Sequence, residues 1–427
     1  MAVSLGFHIL FAVVGMAMPL LMAVAEGLWL STGQKVYLAL ARAWSRGVAV
    51  MFAVGAVSGT VLSFELGLLW PHFMALAGPV VGMPFALEGF AFFLEAIFLG
   101  IYLYGWQKVP PLAHWLAGVG VWLAGTASGI FVVCANAWMN TPAGFALQAG
   151  RAVRVEPWQA MFNPAWFSQC LHMTLAAFLV VGFAVAAIHA RMLLRDPDNL
   201  FHRRAYALAL ATGGICALLQ VVSGDLSARH VARHQPVKLA AMEALWNTQK
   251  GAPLTLGGWP DPVRETNLFA LQIPRGLSLL ACHDPQATVR GLKDFPPEER
   301  PPVLPVHLAF QVMVGAGLYL AAVALLGGLL AWRLGQAPRQ PWYLRLVVAG
   351  GPLAVLALEA GWTVTEVGRQ PWIVYQVMRT SQALTPMPRL WLPFLLFTGL
   401  YLGLALVVGR LLRDQVAASP RLPAEGP

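Results

Sequence analysis

Hydrophobic residues along this chain fall into long runs separated by short polar stretches. Runs of the length needed to cross a bilayer, about 20 residues each, lie near 3–30, 47–70, 84–105, 115–138, 165–190, 204–223, 303–333, 343–366 and 389–412. The pattern predicts nine transmembrane helices in an all-α integral membrane protein. One segment breaks it. Residues 224–302 are polar and rich in proline and charge, too long for a mere connector, and long loops are usually functional. The division expected is 1–223 with helices one to six, 224–302 as a loop domain, 303–413 with helices seven to nine, and 414–427 as a tail. The end of that tail, SPRLPAEGP, reads as disordered.

Composition agrees with the pattern. The chain has 427 residues, 58% hydrophobic and 11% charged, with 28 Lys+Arg against 19 Asp+Glu. Soluble domains run near one quarter charged. The positive excess sets topology here rather than nucleic-acid binding, because basic residues follow alternate spans: Lys35, Arg42 and Arg46, then Lys108, then Arg191, Arg195, Arg203 and Arg204, then Arg333, Arg339 and Arg345, then Arg410 and Arg413. The positive-inside rule places the N-terminus and the 224–302 loop outside and the C-terminus in the cytoplasm. Four cysteines occur singly, at 134, 170, 216 and 282, so no disulfide framework is expected. No cleavable signal is evident, because the first apolar run carries on as a span.

Against this background the intramembrane polar residues stand out. Six glutamates fall in the spans: Glu26, Glu65, Glu88, Glu95, Glu359 and Glu366. Glu359 and Glu366, seven residues apart, share a helical stripe about 10 Å long with Trp362 between them; Glu88 and Glu95 repeat that spacing. A carboxylate at membrane depth costs roughly 2.5–3.5 kcal/mol on insertion scales, and a metal or a proton path is the usual offset. With the predicted orientation, His8, His172, Met313, Glu65, Glu88 and Glu366 gather in the outer half, and Glu359 lies mid-membrane. These residue types suit haem iron. An imidazole with a thioether saturates the iron for electron transfer, whereas a single imidazole or carboxylate leaves a position open for dioxygen.

Five stretches carry a family resemblance: PFALEGFAFFLEAIFLGIYLYGW (84–106), ANAWMNTP (135–142), KLAAMEALWNTQ (238–249), ETNLFALQIP (265–274) and EAGWTVTEVGRQPW (359–372). Over nearly its whole length the sequence resembles subunit I of the cytochrome bd quinol oxidases, which have nine helices in this subunit and a quinol-binding loop between helices six and seven. The resemblance implies that His172 and Met313 bind a low-spin haem b. It implies that His8 and Glu366 bind the two high-spin haems, a haem b and a haem d (or a further haem b in its place), without saying which residue serves which. Glu88 and Glu95 match carboxylates linked to proton delivery and to the high-spin site; Glu359, Trp362 and Arg369 would line the same pocket; Lys238 and Glu243 match residues of quinol oxidation. Glu95, the deeper of its pair, is the expected relay, with Ser128 of the fourth span beside it. The activity implied is that of a terminal oxidase in the bacterial cytoplasmic membrane, oxidising quinol outside and reducing dioxygen with protons from the cytoplasm. The partners implied are subunit II, a small accessory membrane subunit and the lipid bilayer.

Three departures from the family pattern carry expectations of their own. Only MAVSLGF precedes His8, where the family usually has Arg-x-Gln-Phe, so either the chain starts late or its true start codon lies upstream. Gln311 stands two residues before Met313, where Arg is common, and a neutral side chain there should lower the haem potential. GTVLSFELGLLWP (59–71) looks like the cyanide-insensitive, short-loop branch. Two rival readings are a haem subunit that passes electrons without reducing oxygen, which has no use for His8 and Glu366, and a proton-coupled transporter, which predicts inverted repeats and does not explain the loop motif.

Overall fold

The computed structural model describes residues 1–420. Twelve α-helices follow one another: α1 (Ala2–Thr32), α2 (Lys35–Leu69), α3 (Pro71–Tyr104), α4 (Pro111–Asn140), the short α5 (Pro157–Met161), α6 (Trp166–Leu193), α7 (Leu200–His234), the short α8 (Pro236–Met242) and α9 (Gly276–Cys282), α10 (Val303–Leu334), α11 (Pro341–Val367) and α12 (Trp391–Ala417). Nine of these, among the described residues, are long and apolar enough to cross a membrane, as the hydrophobic runs predict. Local chemistry sets their ends. Gly33, in the left-handed region, closes α1. Pro71, Pro111 and Pro341 open their helices, at a position whose N–H would go unbonded in any case. Asn199 caps α7 by accepting from the Phe201 and His202 N–H groups.

Several helices run further than the apolar runs. Between α2 and α3 only Trp70 is non-helical, so residues 71–83 are helix where a connection was expected. About 25 Å of helix axis therefore separates Pro71 from Glu88, and Glu88 lies mid-helix instead of opening its span. α7 continues through Gly224 to His234, which moves the start of the loop from 224 to 235. α12 likewise passes 413 and ends at Ala417. In each case hydropathy reports only the apolar part of a helix, and the polar turns beyond it are stabilised by packing on other segments. Residues 421–427, most of the tail expected to be disordered, lie outside the described residues.

The long helices form two four-helix groups. α1, α2, α3 and α4 pack together, and so do α6, α7, α10 and α11; α1 and α4 join the groups through α6, while α12 lies on α1 and α2. In the second group α6 contacts α7 and α11, and α10 contacts the same two, which places α6 and α10 on opposite corners. Close approach of α6 and α7 depends on small residues: a Cβ added at Gly182 would collide with the backbone of Gly213.

One end of the bundle carries most of the non-helical chain: residues 141–165, 235–302 and 368–390. Within 235–302 the strand Leu254–Leu256 pairs with Leu271–Ile273, and Trp259–Asp261 with Thr266–Leu268, both antiparallel. Asn267 ties two of the singled-out motifs together, donating to the Ala244 carbonyl at 2.9 Å and accepting from Trp246 Nε1 at 2.8 Å.

Candidate functional site

His8 on α1 and His172 on α6 are held by the same device. Each lies beside a serine one helix away, Ser58 at 3.0 Å and Ser223 at 2.9 Å from Nδ1. Each serine hydroxyl also donates back to its own helix, Ser58 to Val54 O at 2.9 Å and Ser223 to Gln220 O at 3.0 Å. A hydroxyl has one proton to give, so both serines accept from Nδ1–H. This leaves the Nε2 lone pair of each ring available, the tautomer that an iron-binding histidine requires. At His172 the Gln220 amide lies 3.1 Å from Nε2, a position that a metal at this nitrogen would take over.

Met313 sits on α10, across the second helix group from His172. Its Sδ lies against Gly361 of α11, where a Cβ would stand 3.2 Å away; a larger residue there would press on the thioether.

Glu366 is at the loop end of α11. Its Oε1 accepts from Asn136 Nδ2 at 2.7 Å and its Oε2 from Arg369 at 2.6 Å. Asn140 donates to Asn136 and accepts from Gln235 at 3.3 Å and from Lys238 Nζ at 3.4 Å. A continuous polar chain thus joins Lys238 of the loop segment to Glu366. Asn136 and Asn140 lie in the motif ANAWMNTP, yet nothing in their spacing singled them out, because an asparagine four residues from another is ordinary until a third helix supplies a carboxylate.

The remaining carboxylates divide between the groups. Glu359 stands at the junction, its carboxylate 3.3 Å from where a Cβ on Gly6 of α1 would be. Glu95 fits between Gly15 of α1 and Gly125 of α4. Ser128, expected near Glu95, donates to Glu88 at 3.3 Å. Three side chains here have buried atoms without a hydrogen-bond partner among the described residues, four atoms in all: Glu359 Oε1, Trp362 Nε1, and Arg369 Nε and Nη1. Arg369 is only 2% exposed. Two bare guanidinium nitrogens so deeply buried suit an anionic group. Among the described residues no three His, Cys, Asp or Glu side chains converge to hold a bare metal ion, whereas single axial donors suit an iron whose other ligands come from a macrocycle.

In the loop segment both predicted residues are buried: Lys238 is 4% exposed and Glu243 3%. Burial lowers the Lys238 ammonium to about 7; Arg369 adds to that effect and Glu366 opposes it. Burial raises Glu243 to about 7, against the Thr255 backbone N–H that faces its carboxylate. A cation and a carboxylate that both titrate near neutrality are suited to proton transfer. Gln311, expected to act on haem through its missing charge, instead bonds the loop: it donates to Thr255 O at 2.9 Å and accepts from Gly257 N–H at 3.0 Å.

The model of the family described as cytochrome bd terminal oxidase subunit I matches residues 1–420. This chain belongs to that family. It is 37% identical over 412 residues to a Bacillus subtilis protein assigned as a cytochrome bd menaquinol oxidase subunit I, covering 95% of this chain and 92% of that one. It is 33% identical over 396 residues to a cytochrome bd ubiquinol oxidase subunit 1 of the same organism, covering 89% and 83%. The bd oxidase structure from Geobacillus thermodenitrificans superposes with a TM-score of 0.92 at 39% identity, covering 98% of this chain and 97% of that one. Family membership and the shared fold together make this a haem-dependent, multi-span respiratory oxidase subunit.

Proposed function

We infer that the chain is the catalytic subunit of a terminal oxidase that oxidises quinol and reduces dioxygen to water, working with a second membrane subunit. The observation that carries the reading is the polar chain from Lys238 through Asn140 and Asn136 to Glu366. It joins the titratable Lys238 of the loop segment to a carboxylate at the loop end of α11. In this reading His172 and Met313, from opposite corners of one helix group, hold a low-spin haem b. His8 and Glu366 hold high-spin haems at the junction of the groups, one a haem b and the other a haem d or a further haem b. Haem iron, when bound, would supply the one-electron transfer steps and the site of dioxygen reduction.

The chain's own residues do the rest. Ser58 and Ser223 fix the imidazole tautomers. Arg369 neutralises Glu366, and its free nitrogens would help hold an anionic group of the cofactor. Glu243 takes a proton from the quinol hydroxyl, and Lys238 steadies the negative charge that develops. Glu95 and Glu88, with Ser128, carry protons along α3 toward the junction. With the loop end facing outward, protons from quinol leave on one side while those for water arrive from the other. A small accessory membrane subunit completes the assembly in this reading.

A reduced-minus-oxidised visible spectrum of the complex purified with its second subunit, recorded beside quinol-driven oxygen uptake, tests the reading. Haem bands with uptake are expected. A colourless protein would point to the transporter; haem bands without oxygen uptake would point to an electron-transfer subunit.

A further inference from the structure

The loop end of α10 carries two polar side chains one helical turn apart, His307 and Gln311, on a single face. His307 is completely buried. Its Nδ1 lies 2.8 Å from the Met242 carbonyl and its Nε2 2.9 Å from the Gly257 carbonyl. A neutral imidazole has one N–H, so both contacts are hydrogen bonds only when the ring carries two protons. Gln311 grips the same segment, through Thr255 O and Gly257 N–H. Gly257 is at φ +62° and Gly258 at φ +98°. That left-handed turn, open to glycine, brings the Gly257 carbonyl and N–H to the two side chains.

What this clamp holds is specific. Met242 immediately precedes Glu243, and Thr255 presents its N–H to the Glu243 carboxylate while its carbonyl is taken by Gln311. Glu243 is therefore flanked on both sides, by Met242 before it and by the strand of Thr255 facing it, and both are anchored on α10. Met313 lies six residues further along that helix.

We propose that His307, set between the Met242 and Gly257 carbonyls, is a positioning residue for quinol oxidation, and that with Gln311 it locks Glu243 to the helix that carries Met313. The proposal rests on the reading of Glu243 as a quinol-oxidising residue. The clamp makes no contact with the quinol itself; it sets the place and orientation of the base. Its loss acts first on quinol binding and proton abstraction, and leaves the haem complement alone.

The test uses the complete oxidase complex. His307→Leu removes both bonds, His307→Gln has donors on a single nitrogen and can reach one carbonyl, and Gln311→Leu frees the strand while keeping His307. Steady-state kinetics with a quinol and with an artificial donor that bypasses the loop are measured beside the visible spectrum. His307→Leu is expected to lower kcat/KM for quinol at least tenfold, mainly through KM, with His307→Gln intermediate, and with haem spectra and artificial-donor turnover unchanged. Gln311→Leu, expected to show a smaller loss of the same kind, serves if His307→Leu does not assemble. Glu243→Ala is the control. If it leaves quinol kinetics normal, the underlying quinol reading fails. If it cripples quinol turnover while the assembled clamp variants keep wild-type KM and kcat, the clamp is refuted.

Discussion

The two four-helix groups bury different chemistry. In α6, α7 and α10 the deep donors are an imidazole and a thioether, His172 and Met313, both neutral. In α1 to α4 they include carboxylates: Glu88 and Glu95 along α3, and at the far end Glu26, whose Oε1 lies 2.7 Å from His114 Nδ1, with His114 Nε2 facing the Tyr102 carbonyl at 2.8 Å. Neutral donors enter an apolar bundle at small cost and need only orientation, which a serine and a glycine supply. Carboxylates need a partner or a proton, and the first group provides hydroxyl, imidazole and glycine-lined space along its seam. On this account one group holds an electron carrier and the other moves protons. α11 joins them, since Glu359 and Glu366 project at the junction.

The division can be broken most severely in the second group. His172→Ala or Met313→Ala should remove the low-spin haem signal and abolish quinol oxidation; a normal low-spin spectrum in either variant would end the assignment. In the first group, Glu95→Gln should keep the haems and slow oxygen reduction by roughly 10²-fold or more, the usual worth of a positioned acid or base. A smaller effect sharpens the comparison. Ser223→Ala and Ser58→Ala should weaken haem retention by about 10–100-fold, as loss of a ligand's hydrogen-bond partner commonly does, measured as haem loss to an acceptor protein. Equal haem retention in wild type and both variants would show that the serines do not set the tautomers.

The loop gives the smallest and most specific effect. Burial holds Glu243 near 7, so as a base it becomes competent when pH rises through that value. Quinol turnover should climb across neutrality in the wild type, and Glu243→Gln should flatten the climb while lowering the plateau. An unchanged rising limb in the variant would assign it to another group.

Much of this was legible in the sequence, for identifiable reasons. Nine apolar runs gave nine helices because hydropathy and helix length measure the same physical requirement. The glutamates and two of the histidines, His8 and His172, stood out because their burial is costly wherever they go. Asn136, Asn140, Ser58 and Ser223 did not, since polar residues of these kinds are common in helices and acquire meaning only from the neighbouring helix. His307 carries no such mark in the sequence although it lies six residues before Met313. Its significance comes from two backbone carbonyls, and backbone geometry leaves no mark on composition. Gln311 was weighed only for the charge it lacks, while its amide, which can both donate and accept, is what the loop uses.

The central claim is that Glu366 is an iron ligand and Glu95 a proton carrier, although both are glutamates in membrane helices. Haem content and reduced-minus-oxidised spectra, measured beside oxygen uptake for Glu366→Gln and Glu95→Gln, separate them. The account predicts that Glu366→Gln loses or shifts a high-spin haem while the low-spin haem stays near normal, because a neutral amide is a weaker donor than a carboxylate. It predicts that Glu95→Gln keeps its haems and fails in proton-coupled turnover. A Glu366→Gln protein with its full high-spin spectrum and a defect confined to proton uptake would contradict it.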